Sequence, residues 1–337
     1  MSLPIVVIPM GDPASIAPEL VIKTLLSDEA LGYANMVVVG SQKVLALTAD
    51  NLGLSVKFNP IQPEQIRAAT FPKGTINLID MDNIDIDAME LGKPQASAGR
   101  ACYEYIETAT HIALNQQCDA VTTPPINKEA LHMANVPYIG HTEIFGGLTG
   151  AHDPLTMFHI QNLRIFFLSR HVSLKDACDL VKTDRVLDYV TRCDKSLKQI
   201  GMNSASIAVA GLNPHNGDNG MFGDQEIKEI EPAVELARKQ GIKADGPIPG
   251  DSVFWLARKG RWDAVLSLYH DQGHIAAKTL DFERAVTITL GMPILRTSVD
   301  HGTAYDIVGT GQANEVSLIE AVRVASIYAP SFIPMPV

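Results

Sequence analysis

The chain is poor in the features that mark several large protein classes. No run of roughly 18 apolar residues escapes interruption by a charge or a breaker, so no helical membrane span is expected. Positive charge is also short, with 27 Lys+Arg against 38 Asp+Glu and a formal net charge of −11. That balance argues against general binding to nucleic acid or to anionic membranes. The four cysteines, Cys102, Cys118, Cys178 and Cys193, show no C-x-x-C spacing and read as reduced thiols of a cytoplasmic protein. The opening Met1-Ser-Leu-Pro-Ile-Val-Val-Ile-Pro9 lacks a basic n-region, so a cleaved secretory signal is not expected.

Three catalytic signatures are missing as well. No H-E-x-x-H points to a local zinc motif, and no G-x-S-x-G marks a nucleophile elbow. A dinucleotide fingerprint needs G-x-G-x-x-G between a strand and a helix. Gly309-Thr-Gly-Gln-Ala-Asn314 and Gly217-Asp-Asn-Gly-Met-Phe-Gly223 come nearest, and neither meets both pattern and context.

What the chain has is core material. Apolar residues make up 46% of its 337 positions and charged residues 19%. This length suits two domains or one large α/β domain. Short β-rich runs at 5–8, 36–39, 120–122, 164–168, 206–210 and 264–268 alternate with helical periodicity at 97–114, 174–180, 225–239 and 316–329. That alternation predicts an α/β fold with a mostly parallel sheet. The acidic stretch 81–95 reads as a surface loop.

Three predicted strands are followed by histidines: 164–168 by His171, 206–210 by His215 and 264–268 by His270, with Asp271 next. Ligands of open α/β sheets bind outside the carboxyl ends of strands, so three imidazoles are expected to converge there. Neutral imidazoles suit a borderline divalent ion such as Zn²⁺ with positions left open for substrate. The run 120–122 ends in the polar turn Thr123-Pro-Pro-Ile-Asn-Lys128. Lys128 there could serve a phosphate, a cofactor or a helix start. His111, His132, His152 and His159 are taken as structural or exposed, and His274 as a surface neighbour of the His270 turn.

At these residues the sequence resembles the 4-hydroxythreonine-4-phosphate dehydrogenase family of pyridoxal phosphate biosynthesis. The matching blocks run from Gly11-Asp12-Pro13-Ala14 through Thr123–Lys128 to Gly140-His-Thr-Glu143. They continue through Gly211-Leu-Asn-Pro-His215, Gly246-Pro247 and Tyr269-His-Asp-Gln-Gly273 to Arg296-Thr-Ser-Val-Asp-His-Gly302. The resemblance implies two α/β domains like those of isocitrate and isopropylmalate dehydrogenases, with a cleft between them. We place the first at 1–135 plus 305–337 and the second at 136–304, the second carrying most site residues. It implies a divalent metal (Zn, Mg, Mn or Co) on His171, His215 and His270. Substrate contacts fall on His141, Thr142, Lys278, Thr287 and Arg296. It also implies NAD as cofactor and a homodimer whose metal site is completed across the interface.

The expected reaction is oxidation and decarboxylation of 4-hydroxythreonine 4-phosphate to 3-amino-2-oxopropyl phosphate and CO₂. A metal beside the substrate hydroxyl lowers its pKa and stabilises the charge that develops. Lys278 and Arg296 would meet phosphate or carboxylate, the Arg through two donors at once. Lys278, Asp251 and Asp271 are the catalytic candidates, the two aspartates as orienters of a bound histidine or proton relays. For Lys278 and Arg296 the plainer reading is a solvated charge, and for Thr142 a helix cap.

Two departures from the family bear on the substrate. Ser15 and Ala17 stand where the family usually has Gly, and Thr287 where biosynthetic members commonly carry Asn. Thr has no amide NH₂ and a shorter reach. These changes open an alternative, D-threonate or D-erythronate 4-phosphate as substrate with dihydroxyacetone phosphate as product. More distant alternatives are a redox-silent metal-dependent hydrolase or transferase, and a non-catalytic metal-binding protein.

Overall fold

The computed structural model describes residues 2–335. Its strands are β1 (Ile5–Pro9), β2 (Asn35–Gly40), β3 (Lys57–Pro60), β4 (Thr75–Asp80), β5 (Ala120–Thr123) and β6 (Leu155–Ile160). They continue with β7 (Leu163–Phe167), β8 (Ile207–Ala210), β9 (Ala244–Ile248), β10 (Ala264–Ser267), β11 (Val286–Leu290) and β12 (Arg296–Ser298). The chain divides into two compact units, Met1–Pro154 with Met292–Val337, and Leu155–Gly291.

In the first unit the strand order is β3-β4-β2-β1-β5-β12, and every pairing is parallel. All five residues of β1, Ile-Val-Val-Ile-Pro, are buried. A continuous apolar run of this kind is what a parallel strand covered on both faces requires. Between strands the chain returns through helices such as Ala17–Leu26, Gln42–Asn51 and Ala96–Leu114. After β1, Gly11 turns with φ +79°, and a Cβ there would meet the Pro125 carbonyl oxygen at 2.7 Å. The turn therefore needs glycine on conformational and on steric grounds.

The second unit has the order β11-β6-β7-β10-β8-β9. Here β11–β6 and β6–β7 are antiparallel, while β7–β10, β10–β8 and β8–β9 are parallel. Its core joins Phe158, Ile165, Phe167, Ala208, Val253, Trp262, Val265 and Ala277. Helix His270–Leu280 lies close on the sheet because residue 273 is glycine. A Cβ there would meet Phe167 at 2.5 Å and the Ser267 hydroxyl at 2.7 Å.

The units divide at Pro154/Leu155 and Gly291/Met292, not at 135/136 and 304/305 as the sequence suggested. Pairing explains the shift: Arg296, Thr297 and Ser298 of β12 register with Val121, Thr122 and Thr123 of β5. His141, Thr142 and Arg296 consequently belong to the first unit. The helix expected over 225–239 is two segments, a π-helical turn Glu226–Ile230 and then Glu231–Lys239. Pro232 has no N–H to give the Lys228 carbonyl and its ring crowds that carbonyl, which forces the wider turn. No described helix is long and apolar enough to cross a membrane.

Candidate active site

In the second unit β7, β10 and β8 are adjacent and parallel, so their carboxyl ends share one edge. His171 follows β7, His270 follows β10 and His215 follows β8. His171 and His270 come together, with ring centres 6.0 Å apart. His270 opens helix His270–Leu280, and its Nδ1 lies 2.7 Å from an Asp271 carboxylate oxygen. A carboxylate on one ring nitrogen leaves the other for a ligand. Gln272 ties the edge together: its Oε1 accepts from Leu268 N at 2.8 Å and its Nε2 donates to the Gly211 carbonyl at 2.8 Å.

His215 sits in a turn of unusual backbone. His215, Asn216, Gly217, Asp218, Asn219 and Gly220 all have positive φ, His215 at +53°. Left-handed backbone is costly for residues with a Cβ and persists only where surroundings impose it. Glu226 imposes it here. Its side chain is buried and its Oε1 accepts from Leu212 N and Asn213 N at 2.7 and 2.6 Å. Its Oε2 accepts from the Asn213 amide at 2.8 Å, and Asn216 Nδ2 donates to the Pro247 carbonyl at 2.9 Å. His215 lines an open pocket of about 580 Å³ with Asn213, Asp251, Tyr269, Asp271 and Gln272. His171 and His270 line a neighbouring pocket that shares Tyr269 and Asp271 with it.

Two imidazoles bound to one tetrahedral ion at ~2.1 Å have ring centres roughly 5–6 Å apart, so His171 and His270 fit a shared divalent cation. His215 lines the adjoining pocket. Among the described residues no three His, Cys, Asp or Glu side chains are grouped to hold a metal. His171 and His270 line one pocket and His215 the adjoining one, and the two pockets share Tyr269 and Asp271.

Lys278 stands in the last turn of helix His270–Leu280, eight residues after His270 and on the same face. Its ammonium lies 5.1 Å from the Phe282 ring centre. Thr287 is half-buried on β11, opposite Phe158 of β6. Asp251 is exposed at the rim of the His215 pocket.

The first unit holds a second cluster. Arg296 is 2% exposed and donates from Nε and Nη2 to the Thr123 hydroxyl, at 3.1 and 2.7 Å. Its guanidinium carbon stands 5.4 Å from the Phe145 ring centre. Burial pushes its pKa down to about 9, against an opposing pull from Glu143, so it stays charged at neutral pH. This is no ordinary solvated cation.

His141 opens helix His141–Thr149 and stacks on Phe145, one turn along. The residue is partly exposed, yet its Nε2 is buried and meets no hydrogen-bond partner. Burial, then the charge of Arg296, holds its pKa well below the ordinary histidine value, so the ring is neutral. A neutral imidazole beside a desolvated guanidinium suits an oxyanion that can accept from both. Thr142 lies inside the first turn and Gly140 takes the cap position, so Thr142 is not the helix cap. Lys128 is the first residue of helix Lys128–Met133, which Asn127 caps by accepting from Ala130 N at 2.8 Å.

Sequence reasoning missed Thr123, Glu226 and His274 as parts of these clusters. Thr123 was visible in the Thr-Pro-Pro turn, and His274 in its spacing of four from His270. Nothing local marked Glu226, because its partners lie 13 and 14 residues back.

Comparison with known proteins adds to this geometry. The family described as pyridoxal phosphate biosynthetic protein PdxA matches residues 32–325. A Clostridium botulinum protein named "Putative D-threonate 4-phosphate dehydrogenase" is 53% identical over 329 residues, covering 98% of each chain. The crystal structure of 4-hydroxythreonine-4-phosphate dehydrogenase from Klebsiella pneumoniae superposes with a TM-score of 0.90 at 39% identity, covering 97% of this chain and 98% of that one. A 4-hydroxythreonine-4-phosphate dehydrogenase from Burkholderia phymatum gives a TM-score of 0.87 at 37% identity, covering 97% and 99%.

Proposed function

The chain belongs to the PdxA family of pyridoxal phosphate biosynthetic proteins, and from that premise we propose that it is an NAD-dependent, β-decarboxylating dehydrogenase of D-threonate 4-phosphate or its erythronate epimer. The observation that carries an anionic substrate is buried Arg296, braced by Thr123 beside the unpartnered Nε2 of His141. A desolvated guanidinium binds phosphate or carboxylate oxygens with charge-assisted hydrogen bonds, and the neutral imidazole adds one more donor or acceptor.

In the reaction, the hydroxyl at C3 of the acid loses a proton and its carbon loses hydride to NAD⁺. The resulting β-keto acid releases CO₂ and takes up a proton at C2, leaving dihydroxyacetone phosphate and NADH. A divalent cation, when bound, supplies Lewis-acid stabilisation of the oxygen anion in both steps. His171 and His270 would hold it, with His215 a further candidate and Asp271 orienting His270 through Nδ1. Lys278, half-buried on the same helix face, would meet the negative charge of the substrate, and Asp251 would pass protons at the pocket rim. NAD⁺ as acceptor is supported by the family likeness. A homodimer with its metal set completed by a partner is the assembly we propose, and light scattering of the purified protein tests it.

The order of the two substrates differs from the sequence expectation, which put 4-hydroxythreonine 4-phosphate first. The 53% relative bears the D-threonate name, and Thr287 replaces an amide with a hydroxyl. The amino acid remains the second reading because the superposed structures at 39% and 37% identity carry that name. NADH formation with Zn²⁺, Mg²⁺, Mn²⁺ or Co²⁺ and each of the three acids decides between them. We expect kcat/KM at least about tenfold higher for the threonate or erythronate ester, a transition-state difference of ~1.4 kcal/mol. A preference for the amino acid reverses the assignment, and silence on all three removes the proposed substrates.

A further inference from the structure

His274, one helical turn after His270, plays no part in the reaction proposed above. Its ring lies nearly parallel to that of His270, with centres 3.7 Å apart and planes 11° from each other. On its other sides it meets two core rings, Phe158 at 4.5 Å and 68° and Phe167 at 4.4 Å and 36°. Those two rings fix each other edge-on at 5.3 Å and are 2% and 3% exposed. His274 Nδ1 lies 2.8 Å from the His270 carbonyl, which can only accept, so the proton is on Nδ1 and the ring cannot turn over without losing that bond.

A ring locked in this way makes a platform. From these contacts we propose that His274 is a positioning residue: its face sets the plane of the His270 imidazole, as Asp271 sets the role of its Nδ1. With one face against His274 and Nδ1 against Asp271, His270 is left to present its Nε2 edge. A histidine at the start of a helix and 40% exposed in its side chain would otherwise sample several rotamers, each aiming that nitrogen elsewhere. Flat stacking, and not mere filling of space, is the interaction at work. An aliphatic side chain fills the gap between Phe158 and Phe167 but offers no planar surface to the imidazole.

The inference rests on the reading of His270 as a metal ligand, and the test separates the two. Co²⁺ would be titrated into metal-free wild type and into His274→Ala, His274→Leu, His274→Phe and His270→Ala, with the visible d–d spectrum recorded beside the affinity. Substitution of groups that orient metal-binding histidines weakens metal affinity by about 10–100-fold, and we expect roughly tenfold for the Ala and Leu variants. Their d–d bands should shift as well. His274→Phe keeps a flat ring on His270 and should bind within about threefold of wild type with the wild-type spectrum. The Leu and Phe variants both keep a filled core, so their comparison stands even if His274→Ala does not fold.

If His274→Leu binds Co²⁺ as wild type does while His270→Ala does not, the positioning role is wrong and the ligand assignment stands. Equal weakening in Phe and Leu also overturns the stacking argument. Wild-type Co²⁺ binding by His270→Ala removes the ligand assignment itself, and the role of His274 goes with it.

Discussion

Arg296 and Thr123 are 173 residues apart in sequence and are joined by two donors converging on one hydroxyl. The pair depends on β12 lying beside β5, in a register that sets Arg296 opposite Val121 and Ser298 opposite Thr123. Burial away from water holds the pKa of this cation down to about 9.

An anion that enters the cluster should therefore stabilise the fold. Inorganic phosphate or sulfate at tenfold over its Kd should add ~1.4 kcal/mol, a rise of a few degrees in Tm. Arg296→Gln should abolish that rise. A melting curve of the variant that responds to phosphate as the wild type does would place the anion elsewhere.

The suppressed pKa of His141 gives a pH signature. An unfolded histidine titrates near ~6.5, whereas in the fold the ring, with its Nε2 buried, stays neutral to much lower pH. Below 6.5 the unfolded chain binds a proton that the folded chain refuses, so stability falls as pH falls through that window. The slope approaches about 1.4 kcal/mol per pH unit at its steepest. His141→Asn should remove it. The difference between wild type and variant is the quantity to follow, since it cancels the opposite trend from Asp12, whose pKa burial raises. Parallel stability curves between pH 6.5 and 5 would show that His141 is protonated freely.

Glu226 holds the His215 turn through three hydrogen bonds to a buried carboxylate. Glu226→Ala would take the acceptor from two backbone N–H groups, at a cost of about 3 kcal/mol, while the Asn213 amide keeps Gln225. Equilibrium unfolding should show that loss, and hydrogen exchange should show faster opening at 212 and 213. Unchanged protection there would mean that the turn is held by its other contacts.

His215→Ala separates two views of the metal site. If His215 is a ligand, the variant should lose most bound metal and nearly all turnover with its melting temperature kept, because the side chain sits on a pocket wall. Metal content by mass spectrometry equal to wild type would leave the ion to His171 and His270.

Strand signals were legible in the sequence wherever a short β-rich run stands out: β1, β2, β5, β7, β8 and β10 lie where those runs stand. The other six were not. β12 is three residues long, and Arg296-Thr-Ser has no apolar character of its own; it is a strand because β5 is beside it. β11 carries Thr287 in an alternating pattern too short to separate from a loop. The histidines were found because each follows a strong strand, whereas the left-handed turn that carries His215 has no periodicity to report it. The burial of Arg296 was equally hidden, since sequence offers no measure of solvent around a cation.

The first unit is made from both ends of the chain, with 155–291 inserted between them. During synthesis the inserted unit has all of its strands before β12 leaves the ribosome, and contiguous units generally fold as they emerge. The carboxyl-terminal strand is then the last to be laid into its sheet, and it brings Arg296 with it. A nascent chain thus acquires the imidazoles of its inserted unit first and its buried guanidinium at the end, so that premature release yields a protein without the Arg296–Thr123 pair however well its remaining parts have folded.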